Sequence, residues 1–269
     1  MAKFDGKHLT GMIGKLVTRK VKNKQIVQRA PVSVKQTKAT KKAASIFGQG
    51  SILAGTIRRN FEAFINSNYH GDMVNRLNTP IRAVIRQCYN PETDKFNFAE
   101  DSFSRLAGFE FNIKSLLSNN LWVTPEMSLN GNILKISIPE AKIPKQLKFP
   151  SRANLCELTV VVTLISLQQA KFKHPLFQSI EISKTQDTLA AQEFTFEVPD
   201  GCLCVAGLNL GYFSLHNSIK TILNNKDFNP AGLLGAIIVP GEFVLPAPII
   251  TPNSVSTIPW FDIYDLNLY

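Results

Sequence analysis

Twelve of the fifteen prolines fall at or after Pro125, and this one-sided distribution limits the fold more than any other feature. Proline carries no backbone N–H and its ring clashes with the preceding helical turn, so long helices are confined to the stretch before it. Beyond residue 98 the apolar runs are short and β-prone, with Pro and Gly turns between them: 121–124, 133–138, 157–167, 179–183, 193–198, 203–213, 234–239 and 260–264. Many short strands with such turns predict an antiparallel β-sandwich, with immunoglobulin-like and jelly-roll strand orders both open. Residues 240–259 hold five prolines and little periodicity, and are expected to lie extended along a surface.

Upstream the period is helical. Thr37 or Thr40 can cap a helix, and Ala43, Ile46, Phe47, Gly50, Leu53, Ala54, Ile57, Phe61, Phe64 and Ile65 follow at three- and four-residue steps. A helix over 40–66 would be about 40 Å long. Gly50 lies on its apolar stripe, which predicts close approach of another backbone. Gly48 and Gly55 lie off the stripe and are expected only to weaken the helix, by about 1 kcal/mol each against Ala. A second helix fits 72–88, with Met73, Val74, Leu77, Ile81, Val84, Ile85 and Cys88 on one face. Pro80 either kinks it or opens a new helix capped by Thr79. The polar turn 66–71 makes the two an αα-hairpin. The best linker follows it, at 90–97 (NPETDKFN). The fold class is therefore α+β: a basic arm over 1–36, a helical hairpin over 37–89, and a β-sandwich body with a Pro-rich C-terminal segment over 98–269.

Charge is as unevenly placed as proline. The first 59 residues hold fourteen of the thirty Lys and Arg and one acid, Asp5, for a net +13, while residues 60–269 sum to −3. Residues 15–21 and 25–30 read as a β-hairpin joined by Lys22-Asn23-Lys24 and ended by Pro31. Its faces mix Val17 and Val21 with Arg19, and Leu16 with Lys20, so alone it would be marginal and would need another sheet or subunit to pair with. An excess of cations on an otherwise near-neutral chain favours anionic partners. The candidate anion or nucleic-acid contacts are Lys15, Arg19, Lys20, Lys22, Lys24, Arg29, Lys35, Lys38, Lys41, Lys42, Arg58 and Arg59. Lys38, Lys41 and Lys42 cluster at a helix start, where cations oppose the helix dipole and an anion nearby would relieve them. Arg58 and Arg59 would extend the same strip. Phe4 and Phe47 are the only aromatics among the first 59 residues, so contact would be to phosphates and blind to sequence.

No catalytic constellation emerges. Gly14-Lys15 looks like the end of a phosphate-binding loop, but Leu9 stands where its first glycine would be and Leu16 replaces Ser or Thr. The histidines His8, His70, His174 and His216 are scattered, and most carboxylates sit in turns or linkers. Cys202 and Cys204 share one strand face without a second cysteine pair, so they read, like Cys88 and Cys156, as structural thiols of a reducing compartment. No metal or cofactor is expected. The N-terminal MAKFDGKHLTGMIGK lacks an apolar signal core, and no run of about 18 apolar residues exists. A cytoplasmic protein, or part of a particle assembled there, is expected.

Gly11-x-x-Gly14-Lys15, the hairpin ending Gln25-Ile26-Val27-Gln28-Arg29-Ala30-Pro31, Lys35-Gln36-Thr37-x-x-Thr40-Lys41, Phe47-Gly48 and Leu106-Ala107-Gly108-Phe109-Glu110-Phe111-Asn112 together carry a resemblance. Over the first 115 or so residues the chain resembles a family of uncharacterised Bacteroidetes proteins with a basic Gly-x-x-Gly arm, a helix and a β-rich C-terminal half. The resemblance implies a Bacteroidetes cell or one of its phages. It implies no site residue.

Two functional expectations come from this pattern. The first is a non-enzymatic structural protein that self-assembles into a shell, tube or filament through its arm, by strand addition to neighbours. The second is a virion-type coat (a capsid protein) whose basic arm meets packaged nucleic acid. An enzyme or small-ligand module would instead need a closed pocket with convergent polar groups.

Overall fold

The computed structural model describes residues 2–22, 24–30, 36–246, 250–251, 254–255 and 259–269. The chain is α+β, with two α-helices and mostly antiparallel sheets among the described residues, and divides into two compact units, Met1–Ala44 and Ser45–Tyr269.

The first unit holds a four-stranded antiparallel meander: β1 (Lys3–Phe4), β2 (Leu9–Ile13), β3 (Leu16–Val21) and β4 (Lys24–Arg29). The β3–β4 hairpin is the one expected from the sequence, turning at Lys22, which adopts φ 53°. The sequence reading missed that β2 pairs along the other side of β3 through Gly11↔Thr18, Met12↔Val17 and Ile13↔Leu16. Gln25 explains part of that pairing. Its side-chain amide donates to the Leu9 carbonyl and its oxygen accepts the Leu9 N–H, tying β4 to β2 across β3. Pro31 and Lys35, and with them the expected end of the hairpin at proline, lie outside the described residues.

Helix α1 (Lys38–Ile65) runs from the first unit into the second, and α2 (Met73–Cys88) follows. Thr37 is the N-cap: its Oγ1 accepts the Thr40 N–H at 3.1 Å. The apolar stripe of α1 is buried only from Gly50 onward; Ala43 and Phe47 are exposed. At Gly50 a Cβ would stand 3.0 Å from the Arg82 Cα, so glycine is what lets α2 approach. Helix α2 passes through Pro80 without restarting. Thr79 is not a cap; its hydroxyl donates back to the Asn75 carbonyl at 2.8 Å.

The strands of the second unit are β5 (Glu126–Asn130), β6 (Ile133–Ile138), β7 (Leu155–Ser166), β8 (Lys171–Ser183), β9 (Gln192–Glu197), β10 (Cys202–His216), β11 (Ile219–Ile222), β12 (Ala231–Ile238) and β13 (Trp260–Asp262), besides two-residue ribbons. The main sheet runs β11-β10-β7-β8-β13, with β12 also on β10, and β9-β6-β5 forms a smaller sheet. The expected strand at 121–124 is absent; only an isolated Leu121–Leu147 bridge forms there.

Strand β7 explains the layering. Leu158, Val160, Val162 and Leu164 share a core with Leu134, Ile136, Phe194 and Phe196 of the small sheet. Val161 and Ile165, on the opposite face, pack with Leu53, Ile57 and Phe61 of α1 and Leu77, Ile81 and Ile85 of α2. Both faces of β7 are covered, which is why it reads as one continuous apolar run. The helical hairpin thus packs on the main sheet, on the face of β7 opposite the one that shares a core with the small sheet. Two contacts fix its seat. Phe61 lies against Gly207 of β10, where any Cβ would stand 2.5 Å from the ring. Asn60, buried on α1, donates to the Thr163 hydroxyl at 2.7 Å, and removal of either partner would strand a buried polar group.

Candidate functional site

The basic residues predicted from the sequence fall in different settings. Lys15 sits in the β2–β3 turn, Arg19 and Lys20 on β3, Lys22 in the β3–β4 turn, and Lys24 and Arg29 at the two ends of β4. Lys38, Lys41 and Lys42 occupy the first turns of α1, which carries no acid in its first turn. Lys35 lies outside the described residues. Asp5, the sole acid of this unit, accepts the backbone N–H groups of His8 and Lys7, and those two bonds hold its carboxyl below the usual range. It is occupied in a turn and neutralises little. The unit, residues 1–44, carries a net +11 (twelve Lys and Arg, one acid), against −1 for residues 45–269.

The N-terminal sheet has almost no core. Thr18 is the only buried side chain among the described residues 2–30. The register places Phe4, Ile13, Leu16 and Val27 on one face, at 69%, 48%, 47% and 55% exposure, and Met12 and Val21 on the other. Strands β1 and β4 stand at the two edges.

Arg58 and Arg59 are not part of that sheet. They lie in the second unit, where they line a cleft of about 900 Å³ with Ser51, Ile52 and Gly55 of α1, Phe172 of β8, Trp260, Phe261 and Asp262 of β13, and Ile263 and Tyr264 beyond it. Pairing of β13 with β8, through Lys171↔Asp262, Phe172↔Phe261 and Lys173↔Trp260, brings the aromatic residues there. Phe261 packs on Phe172 and His174, with ring centres 5.5 and 4.5 Å away, and Trp260 packs on Phe243 at 4.7 Å. Asp262 is bound by the Lys171 ammonium at 2.5 Å. Among the described residues Arg58 has no carboxylate within 4.0 Å, and Arg59 bonds only the Thr56 hydroxyl, at 3.2 Å. Tyr264 is 83% exposed. Gly55, expected from the sequence only to weaken the helix, leaves the α1 side of this cleft open.

A second cleft, of about 390 Å³, is lined by Glu110, Leu117, Ser118, Trp122 and neighbours. Burial pushes the Glu110 carboxyl up, although its oxygens accept the Leu117 and Ser118 N–H groups at 2.8 and 3.3 Å. Those bonds make it an anchor for the turn at Leu117–Asn119. The four cysteines are free thiols; Cys156, Cys202 and Cys204 are buried, and burial pushes the Cys202 thiol up to about 12. Such thiols are poor nucleophiles and poor ligands at neutral pH. Among the described residues no three His, Cys, Asp or Glu converge as a metal site, and no helix is long and apolar enough to cross a membrane.

The sequence identified Arg58 and Arg59 as cations but missed their aromatic surroundings, which lie some two hundred residues away in the chain. The one local signal was Trp260-Phe261 beside Tyr264, clustered aromatics in a chain that is 9% aromatic. No family model, no curated protein and no solved structure matches this chain.

Proposed function

We propose that this chain is a non-enzymatic structural protein that builds an ordered homopolymer, the N-terminal sheet of one copy docking on the body of the next. The observation that carries the reading is the coreless N-terminal sheet, in which four large apolar side chains share one half-exposed face. Isolated sheets of this kind are marginal, and contiguous exposed apolar patches mark interaction surfaces. Charge selects the partner. A net +11 on 44 residues opposes pairing of one arm with another, whereas a body at −1 does not repel it. Contact between an arm and a different surface is heterologous, and heterologous contacts generate rings, or open tubes and filaments when the rotation does not close. The outer edges of β1 and β4, which no other described strand covers, offer strand addition as the means.

This reading takes the facing sheets of the body as a β-sandwich carrying the helical hairpin, supported by the core they share. The coat variant, with the arm also meeting packaged nucleic acid, is favoured by one further observation: the arm's cations have a single acid among them, and that acid is held in its own turn. Light scattering of the full chain tests the assembly reading. Particles of many copies are expected, and a monodisperse monomer across the accessible concentration range would overturn it.

A further inference from the structure

We infer that the cleft lined by Arg58, Arg59, Trp260, Phe261 and Tyr264 is a binding site for single-stranded nucleic acid, with phosphate on the arginines and a base against the exposed ring. The inference does not depend on assembly. Three features support it. Arg58 is half-buried and, among the described residues, without an acidic partner: the one carboxylate among the described residues of the cleft, Asp262, is engaged by Lys171. A guanidinium taken partly out of water without a partner is unfavourable until an anion arrives, and its planar fork matches phosphate oxygens. Next, the cleft is aromatic as well as cationic. Tyr264 stays 83% exposed beside the arginines, whereas the Phe172, His174 and Phe261 rings pack on one another. Arginine beside an exposed ring is the combination that holds a strand by backbone charge and base stacking. Finally, Gly55 leaves one wall without a side chain, and the resulting volume of about 900 Å³ accommodates more than a lone ion.

Charge also excludes the nearest competitor. The basic arm of a neighbouring copy would bring its own cations to Arg58 and Arg59, so the cleft is not its docking place. A duplex keeps its bases stacked inside, which leaves the rings nothing to stack on. Single strands with splayed bases satisfy both halves of the site.

Tryptophan fluorescence provides a readout local to the cleft. The chain has two tryptophans, and Trp122 is 61% exposed outside the cleft, so Trp122→Phe leaves Trp260 as the sole reporter. In the full chain carrying that change, at moderate salt where contacts made by the arm are weakened, a short oligodeoxythymidine is expected to quench Trp260. A duplex of equal length should not. Tyr264→Ala should weaken the strand about tenfold, and the Arg58→Gln, Arg59→Gln pair should lower the salt slope by about 1.4. Gly55→Leu should abolish the quench by filling the cleft, in a variant whose helix propensity rises. Circular dichroism on each variant confirms the fold, and Tyr264→Ala changes a surface position. Trp260 emission indifferent to saturating strand would overturn the inference. Equal quenching by duplex, or a quench unaltered by both Tyr264→Ala and Gly55→Leu, would do the same. Thymidine monophosphate binding as tightly as the strand would overturn the strand as ligand.

Discussion

Removing residues 1–36 is expected to convert large particles into monomers while leaving the body as stable as before. Both core clusters of the second unit draw every buried member from Leu53 onward, so the cut touches no core residue. It also leaves the N-cap of α1 in place, since Thr37 and its bond to Thr40 lie beyond the cut. What is lost is the apolar face of Phe4, Ile13, Leu16 and Val27 together with the edges of β1 and β4. If each side chain buries its exposed half against a neighbour for about 1 kcal/mol, the four contribute roughly 4 kcal/mol. That corresponds to about three decades in the association constant. Sedimentation of the truncated chain should therefore give a single species of monomer mass, and thermal melting should give the body transition of the full chain. Particles that survive truncation would place the polymer contacts in the body.

The second large effect concerns nucleic acid and salt. In the coat variant, engaging half of the net +11 of residues 1–44 gives a slope of about −4 to −5 in log K against log salt, or roughly 2.5 decades over a fourfold rise in salt. Changing Lys38, Lys41 and Lys42 to Gln should flatten the slope by about 2 to 3. The fold should hold, because all three precede the buried part of α1 and removing cations from a helix start relieves the dipole. Filter retention of duplex across salt, on both proteins, reads this directly. A shallow dependence in the full chain would end the coat variant and leave the assembly reading intact.

The fold was legible where burial and period agree. The run at 133–138 forms β6 with those same bounds, and Gly50 on the apolar stripe announced the approach of α2 at Arg82. It was hidden where tertiary pairing overrides local signals. The sequence marked a strand only at 179–183, yet residues 171–178 (KFKHPLFQ), with Pro175 among them, are the first half of β8. The register of β8 against β7 shifts between Val162 and Leu164, so His174 and Pro175 fall in a bulge where proline's missing N–H interrupts no ladder bond. Strand β11 escaped because all four of its residues are exposed, which removes the alternation that marks a half-buried strand. Residues 121–124 misled in the other direction, as an apolar run that closes a loop through one bridge to Leu147. The arm was legible from charge, but the cleft was not, because only the β8–β13 pairing carries Phe261 and Tyr264 to Arg58 and Arg59.

In the proposed polymer the arm of one copy rests on the body of another. Co-assembly of isotopically heavy and light chains, followed by amine cross-linking and mass spectrometry, tests it most directly. The cross-links of interest join Lys15, Lys20, Lys22 or Lys24 of the arm to body lysines such as Lys135, Lys171 or Lys220. The account predicts mixed heavy–light pairs among these arm-to-body links in the proportion set by mixing. Arm-to-body links found only within single-isotope pairs would contradict it.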